Sequence, residues 1–182
     1  MHSTLIIDGP HAGVITGATR REVRLCDLAG LFQDERAFNA AVAKENVVVY
    51  EVYLVEPSHA DGAKLGYGTT VLYPTMVGAE YGFTRGHRHQ VLDRTEVYQV
   101  LQGTGYLLLV DATGAWESVR LNPGTVAYIG GGQAHRVINT GETPLVWFAV
   151  YPSDAGHDYR WAEEHGFGHR LLKIDGEPQW RS

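Results

Sequence analysis

The 182 residues, 44% of them hydrophobic, are enough for one domain with a substantial buried core and too few for a second independent domain. The net charge of −6 argues against a nucleic-acid-binding protein, which usually presents a basic surface. The single cysteine, Cys26, excludes an intramolecular disulfide, and no apolar run approaches the ~20 residues of a membrane helix, so we expect a soluble, cytoplasmic protein.

The first 46 residues are predicted to form an extension with short helices. Asp27 and Asp34 each precede a helical pattern and are expected to cap it. The second pattern, residues 35–45, places Phe38 and Val42 on one face. We therefore expect one domain over residues 1–182. Its parts are an extension (1–46), a barrel core (about 47–152) and a tail (153–182), and the extension and tail pack outside the barrel.

From Val47 onward, β-branched and aromatic residues dominate and turn sequences interrupt them at short intervals. Eight strands are predicted over this core: 47–56, 69–74, 96–102, 105–111, 117–121, 125–129, 135–139 and 144–152. Many short strands with regular turns are typical of an antiparallel sandwich or barrel. The tail is predicted to form a helix over 159–165, which Gly166 ends, and a last strand through 171–174.

The segment GHRHQVLDRTE contains two histidines one residue apart and a glutamate after them. Side chains alternate along a strand, so His87 and His89 point to the same face. Glu96 follows His89 at an odd interval, and a bulge or turn at 92–94 would return it to that face. His135 opens a later strand and is the fourth candidate. An isolated pair of this kind is more often a feature of a polar surface, but three imidazoles and one carboxylate suit a divalent first-row metal ion.

The span from Gly82 to Asn139 resembles the two motifs of the cupins, which are β-barrels of jelly-roll type. The first motif corresponds to His87, His89, Glu96 and Gly103, and the second to Pro123-Gly124, His135 and Asn139. Two positions depart from the general pattern. The interval from His89 to Glu96 is longer than most cupins have, and Gly130 stands where a proline is usual.

The long interval is similar to that of the cupin-type glucose-6-phosphate isomerases (phosphoglucose isomerases), known from archaea and some bacteria. Segments resembling that family extend from Asp34 to Gly166: DERAF, VVYEVY, TTVLYP, TRGHRH, LDRTEVY, PGTVAYI, AHRVIN and YPSDAGHDY. The resemblance implies an aldose–ketose isomerase that interconverts glucose 6-phosphate and fructose 6-phosphate in glycolysis or gluconeogenesis. It also implies a homodimer with one divalent metal ion per subunit, iron in first place and manganese, nickel or zinc as alternatives.

The same resemblance assigns roles to individual residues. The metal ligands would be His87, His89, Glu96 and His135, and the catalytic positions Glu96, Tyr98, His135 and His157. The substrate would contact Tyr50, Thr70, Thr84, the amide of Gly86, Tyr98, Tyr151, His157 and Tyr159. Hydroxyl groups donate hydrogen bonds, and glycine lets the backbone approach an anion closely, so these residue types suit a phosphate group.

Several of these roles have alternatives. Glu96 either carries a proton between the two sugar carbons or stays bound to the metal while a hydride shifts. Thr70 is equally well explained as a β-branched strand residue, and Tyr151 as a core residue at the end of a strand. Cys26 is expected to be a buried, inert thiol. The arginines that alternate away from the proposed ligands are expected to lie in solvent or at an interface: Arg85, Arg88, Arg94 and Arg136.

Two other functions stay open from the sequence. A cupin dioxygenase would use the same ligand types with iron and oxygen, but a hydroxyl-rich lining suits a phosphosugar better than an apolar substrate. A sugar-phosphate-binding cupin without turnover would be expected to have lost some ligands, whereas all four are present here. Fold similarity alone does not decide among them, because one fold hosts many activities.

Overall fold

The computed structural model describes residues 2–7, 9–57 and 62–182, which form mainly antiparallel strands. The strands are β1 (Thr19–Arg24), β2 (Val48–Val55), β3 (Leu65–Leu72), β4 (Met76–Val77), β5 (Glu80–Tyr81), β6 (Glu96–Gln102), β7 (Gly105–Val110), β8 (Trp116–Leu121), β9 (Val126–Ile129), β10 (Ala134–Asn139), β11 (Leu145–Pro152), β12 (Arg170–Ile174) and β13 (Glu177–Arg181). The α-helices are α1 (Glu35–Lys44) and α2 (Tyr159–His165), and the 3-10 helices are Gly9–His11 and Leu25–Leu28.

The strands are arranged in three sheets. One has six strands in the order β1-β2-β3-β11-β6-β9, a second has the order β10-β7-β8, and a third has the order β13-β12-β5-β4. From β6 to β11 the chain passes between the first two sheets, because β6, β9 and β11 belong to the first and β7, β8 and β10 to the second. This alternation is the pattern of a jelly roll. The expected all-β, cupin-type fold is therefore confirmed.

Strand β6 identifies the interior of the jelly roll. Glu96, Tyr98 and Val100 are buried along it, whereas the alternate residues Val97 and Gln99 are exposed. Strand β10 is buried along its whole length because both of its faces are covered. The space between the first two sheets is therefore where the polar side chains of β6 and β10 meet.

In the extension, one of the two predicted helix caps is present, and the environment of Cys26 differs from the prediction. Asp34 caps α1, and its carboxylate accepts a hydrogen bond from the amide of Ala37 at 2.8 Å, as predicted. The prediction for Asp27 is wrong, because it lies inside the 3-10 helix Leu25–Leu28 and accepts from the amide of Arg24. Cys26 is exposed rather than buried. Its sulfur accepts from the side-chain amide of Asn46 at 3.1 Å.

Strands β1 and β12 connect the two ends of the chain to the sheets. β1 pairs with β2 from Thr19 opposite Leu54, although no strand was predicted before residue 47. β12, which begins one residue before the predicted 171–174, pairs with β13 and contacts β5. The division at residues 46 and 153 stays a prediction. The longest helix among the described residues has ten residues, and none there is long and apolar enough to cross a membrane.

Candidate functional site

Four polar side chains converge between the first two sheets: His87, His89, Glu96 and His135. One nitrogen or oxygen atom of each lies within 4.8 Å of the corresponding atoms of the other three. Two strands and one loop bring them together. Glu96 begins β6, His135 is the second residue of β10, and His87 lies opposite His135 in an isolated antiparallel bridge. We call these four residues the histidine–glutamate cluster.

A turn joins His89 to Glu96 and explains their odd spacing. The amide of Arg94 donates to the carbonyl of Val91 at 3.0 Å, so the chain reverses within the segment expected from the sequence. The carbonyl of Arg94 then accepts from Nδ1 of His89 at 2.9 Å. Because that bond places a proton on Nδ1, Nε2 is the ring nitrogen that faces Glu96, whose Oε2 is 3.4 Å away.

Three buried atoms of this cluster have no hydrogen-bond partner among the described residues: Nε2 of His87, Nε2 of His135 and Oε2 of Glu96. His135 Nε2 lies 3.3 Å from Glu96 Oε2, close but without hydrogen-bond geometry. A buried polar atom without a partner costs free energy, so such atoms call for a physical reason. A divalent metal ion at their meeting point would satisfy all three, and imidazole with carboxylate is a donor set that such ions accept.

Glu96 and His87 have protonation states that suit metal binding. Burial lowers the pKa of His89, but its interactions with Glu96 and with the carbonyl of Arg94 outweigh burial and raise that pKa. Burial raises the pKa of Glu96, but the neighbouring rings of His135 and His89 outweigh it and lower that pKa to about 2. Burial and the other imidazoles lower the pKa of His87 well below its ordinary value. At neutral pH the carboxyl group is ionised and His87 is neutral, which are the forms that bind metal ions.

The cluster lines a cavity that also contains every residue expected to contact the substrate: Tyr50, Thr70, Thr84, Gly86, Tyr98, Tyr151, His157 and Tyr159. His89 lies behind the lining and does not face the open space. The sequence analysis missed Val52 and Leu54, which form an apolar part of the wall. They share a face of β2 with Tyr50, so the alternation of a strand predicts them once Tyr50 is chosen.

A second set of residues presents hydroxyl groups to the cavity, and we call it the hydroxyl set: Tyr50, Thr70, Thr84 and Tyr151. The oxygen of Thr84 accepts from the amide of Val137 at 3.1 Å, so its own proton is left for another acceptor. The buried oxygen of Tyr151 has no partner among the described residues. Burial raises the pKa of Tyr50 to about 12 and that of Tyr151 further, so both remain neutral donors.

The loop after β11 is attached to the loop of the cluster. The amide of Asp158 donates to the carbonyl of Arg88 at 2.8 Å, and the amide of Val91 donates to the carbonyl of Ala155 at 3.1 Å. These contacts hold the ring of His157 with its centroid 4.4 Å from that of His87. Burial lowers the pKa of His157 to about 4, so this imidazole is neutral at physiological pH.

The expectation that four arginines lie in solvent or at an interface is wrong for Arg136 and incomplete for the others. Arg136 is buried, with its guanidinium 4.3 Å from the ring centroids of both Phe83 and Phe167. The other three are partly exposed and form ion pairs within the chain: Arg85 with Glu163, Arg88 with Asp158, and Arg94 with Asp154. Strand alternation predicts which face a side chain occupies, but not whether later segments cover that face.

Residues 22–181 match the family model described as glucose-6-phosphate isomerase (GPI). The chain is 45% identical over 175 residues to the glucose-6-phosphate isomerase of Pyrococcus furiosus, covering 93% of this chain and 92% of that protein. The identity to the enzyme of the same name from Sinorhizobium medicae is 40% over 167 residues, covering 91% and 77%.

Solved structures with a similar arrangement include oxalate decarboxylases. The formate complex from Lactobacillus farciminis is 17% identical with a TM-score of 0.49, and it covers 60% of this chain and 30% of that chain. The Bacillus subtilis protein at pH 4.6 is 21% identical with a TM-score of 0.46, and this chain spans 26% of its length.

Proposed function

The chain belongs to the glucose-6-phosphate isomerase family, and we propose that it interconverts glucose 6-phosphate and fructose 6-phosphate in the cavity between its first two sheets. The substrate is thus a sugar phosphate. The observation that carries the proposal is the joint occurrence, in one cavity, of the histidine–glutamate cluster and the hydroxyl set. The first suits the reacting carbons of an open-chain sugar, and the second suits its phosphate group.

The histidine–glutamate cluster would hold one divalent metal ion through His87, His89, Glu96 and His135. Support comes from the three buried atoms that have no hydrogen-bond partner among the described residues and from the protonation states of His87 and Glu96. When bound, such an ion stabilises negative charge on the sugar oxygens at C1 and C2. Iron is our first choice, and the same donor types accept manganese, nickel or zinc.

We assign the proton transfer between C1 and C2 to Glu96. Its carboxylate is ionised, and it would take up the proton after moving off the metal ion, because an oxygen bound to the ion has no lone pair free for a proton. Tyr98, two residues further on the same face of β6, lines the cavity beside it. His157 is neutral and would contact a sugar hydroxyl group or assist ring opening.

The phosphate group would be bound by the hydroxyl set together with the amide of Gly86. The free proton of Thr84 and the unpartnered hydroxyl of Tyr151 are donors with no other acceptor assigned among the described residues. Tyr159, which lines the same cavity, packs parallel to the ring of His157 with 5.7 Å between the ring centroids and would contact the sugar. An anion bound by neutral donors keeps its own charge, so its affinity depends on the number and direction of those donors.

We propose a homodimer formed through an apolar patch on β6 and β9. Val97, Val126 and Tyr128 are 39%, 65% and 64% exposed, and β9 is an edge of the six-stranded sheet. An exposed apolar edge invites pairing with a second copy. Light scattering should give twice the chain mass of 20.1 kDa. A Val126→Glu variant should give the single mass, and a single mass for the native protein would exclude the dimer. The cytoplasmic location stays a prediction.

A coupled assay tests the proposed activity. Purified protein given fructose 6-phosphate should produce glucose 6-phosphate, lose this activity with a chelator, and recover it when a divalent ion is restored. Oxygen consumption without isomerisation would support a dioxygenase instead. Binding of the sugar phosphate without conversion, in protein loaded with metal, would support a binding protein without turnover.

A further inference from the structure

Arg136 is a buried cation that neither the histidine–glutamate cluster nor the hydroxyl set explains. It is 6% exposed, and its guanidinium is enclosed between the rings of Phe83 and Phe167. Guanidinium groups are ionised in proteins, and burying a charge costs several kcal/mol unless it is well compensated. The nearby carboxylate of Glu80 is already paired with Arg170 at 2.8 Å. A buried charge in this position needs a reason beyond packing.

Within the described residues, the side chain of Arg136 donates its hydrogen bonds to one backbone carbonyl. Its Nε and Nη2 donate to the oxygen of Arg85 at 3.3 and 2.8 Å. That carbonyl belongs to the same peptide group as the amide of Gly86. In a trans peptide the C=O and N–H bonds point in opposite directions, so fixing the carbonyl also fixes the amide.

Strand alternation gives the direction in which the amide points. His135 and Arg136 are successive residues of β10 and therefore face opposite sides of the sheet. His135 faces the cavity, so Arg136 and the Arg85 carbonyl lie on the side away from it. The amide of Gly86, a residue that lines the cavity, is thereby directed toward the cavity.

Packing around Gly86 leaves this peptide little freedom. Gly86 has a φ of +78°, a conformation that favours glycine. An added Cβ would lie 2.6 Å from the ring of Phe167 and 3.0 Å from the carbonyl oxygen of His135. Phe167 therefore packs against both Arg136 and Gly86, and the two are held as one unit.

We propose that Arg136 is a positioning residue for anion recognition, which holds the Arg85–Gly86 peptide with its N–H directed at the phosphate group and adds a positive charge behind it. The proposal rests on the proposed function, because it takes the cavity to bind a sugar phosphate. A guanidinium fits this task because its fork of donors fixes the direction of a carbonyl, whereas an ammonium group fixes only its distance.

The test uses Arg136→Met, which keeps the apolar stem between the two rings and removes the charge and the fork, and Arg136→Lys, which keeps the charge. Arg120→Met is the matched control, since Arg120 is exposed on β8 and does not line the cavity. The probe is inorganic phosphate, titrated into each protein while the amide resonance of Gly86 is followed by NMR. Metal content and thermal unfolding are measured on the same samples.

In the native protein and in Arg120→Met, phosphate should shift the Gly86 amide. We expect Arg136→Met to bind phosphate about 10-fold more weakly or worse and to lose this shift, at unchanged metal content. Arg136→Lys should recover part of the affinity and little of the shift. If Arg136→Met does not fold, the result for Arg136→Lys alone tests the proposal.

Native-like phosphate affinity and a native-like Gly86 shift in whichever of these variants folds would overturn the proposal. A loss of metal together with phosphate would also overturn it, because Arg136 would then act through His135. These results are independent of turnover. Absence of isomerase activity in the native protein would refute the proposed function, whereas the phosphate titration judges Arg136 by itself.

Discussion

The histidine–glutamate cluster and the hydroxyl set differ in the chemistry of their side chains, although they share one cavity. The cluster contains an ionised carboxylate and imidazoles, and three of their buried atoms lie close together without a hydrogen-bond partner in the described part of the chain. The hydroxyl set contains neutral donors, and burial raises the pKa values of its two tyrosines. Charge and lone pairs are thus concentrated where bonds would be made and broken, and the hydroxyl groups proposed to contact the phosphate group directly are neutral. Substitutions in the two sets should therefore produce different kinetic defects.

The largest effect should come from His135→Ala. It removes one donor from the centre of the cluster, so metal content and turnover should fall together, turnover by about 10³-fold or more. Elemental analysis and the coupled assay measure the two quantities on one preparation. His11→Ala is a matched control, because His11 is an exposed histidine outside the cavity. Full activity in a metal-free His135→Ala protein would rule out the cluster as the reacting centre.

Glu96→Gln is expected to have the next largest effect. Glutamine keeps the shape of the side chain but cannot carry the proton, so turnover should fall about 10²-fold or more once excess metal restores occupancy. Isomerisation in deuterated water gives an independent measurement, since a proton on a carboxylate exchanges with solvent and a migrating hydride does not. A mild Glu96→Gln defect with no deuterium at C2 of glucose 6-phosphate would instead favour the hydride shift.

Substitutions in the hydroxyl set should affect binding more than turnover. Tyr151→Phe and Thr84→Ala each remove one donor to an anion, so each should weaken binding of the phosphorylated sugar by about 1–3 kcal/mol. Michaelis constants for fructose 6-phosphate and free fructose separate the two contributions, and the defect should be largely confined to the first. Thr84→Ser, which keeps the donor, is the control. Equal losses for both sugars would contradict phosphate binding by these residues.

The smallest effect is expected from Asp154→Asn, which weakens the connection between the loops of the two sets. Arg94 donates to both oxygens of Asp154 at 2.9 Å, and this pair is partly exposed. The Michaelis constant should rise by no more than about 5-fold, and the difference from the native protein should shrink at high salt. A loss of turnover as large as that of His135→Ala would mean that the connection between the loops, not the cluster, determines the rate of the reaction.

The same pair gives a pH dependence with a definite sign. The hydrogen bond from Arg94 lowers the pKa of the Asp154 carboxyl in the folded protein. The ionised Asp154 carboxylate therefore contributes fully to the free energy of unfolding above its ordinary pKa of about 4. This contribution is lost as the pH falls through the lower pKa of the folded protein. Unfolding curves of native protein and Asp154→Asn should converge below about pH 4. A constant difference down to pH 2 would exclude this ionisation as the cause.

The sequence predicts the strands of the jelly roll well because their periodicity is local. It fails for β1, whose sequence TRREVR is mostly charged because that strand is an edge with exposed side chains. It fails also for β13, where Pro178 interrupts an otherwise short pattern. Both strands depend on a partner distant in the chain, and a local window does not contain that partner.

The site is predictable to a similar degree and for similar reasons. The candidate metal ligands follow from the motif pattern and the hydroxyl set from the family resemblance, and the structure brings the two sets together. The role of Arg136 does not follow, because it depends on Phe167, which lies 31 positions later and covers the outer face of β10. In each case a local stretch of sequence does not show which distant segment covers a given face of a strand.

The contact of Phe167 with Gly86 forms late during synthesis, because Phe167 lies far behind Gly86 in the chain. Chains emerge from the ribosome N-terminus first, so the whole histidine–glutamate cluster, residues 87–135, is made before Tyr151, His157 and Phe167. A nascent chain that ends near residue 150 already contains the four proposed metal ligands and Arg136 but lacks Phe167, which packs against both Arg136 and Gly86. The proposed ligands of the metal ion are thus synthesised before Tyr151 and Phe167, the residues that would complete the binding site for the phosphate group.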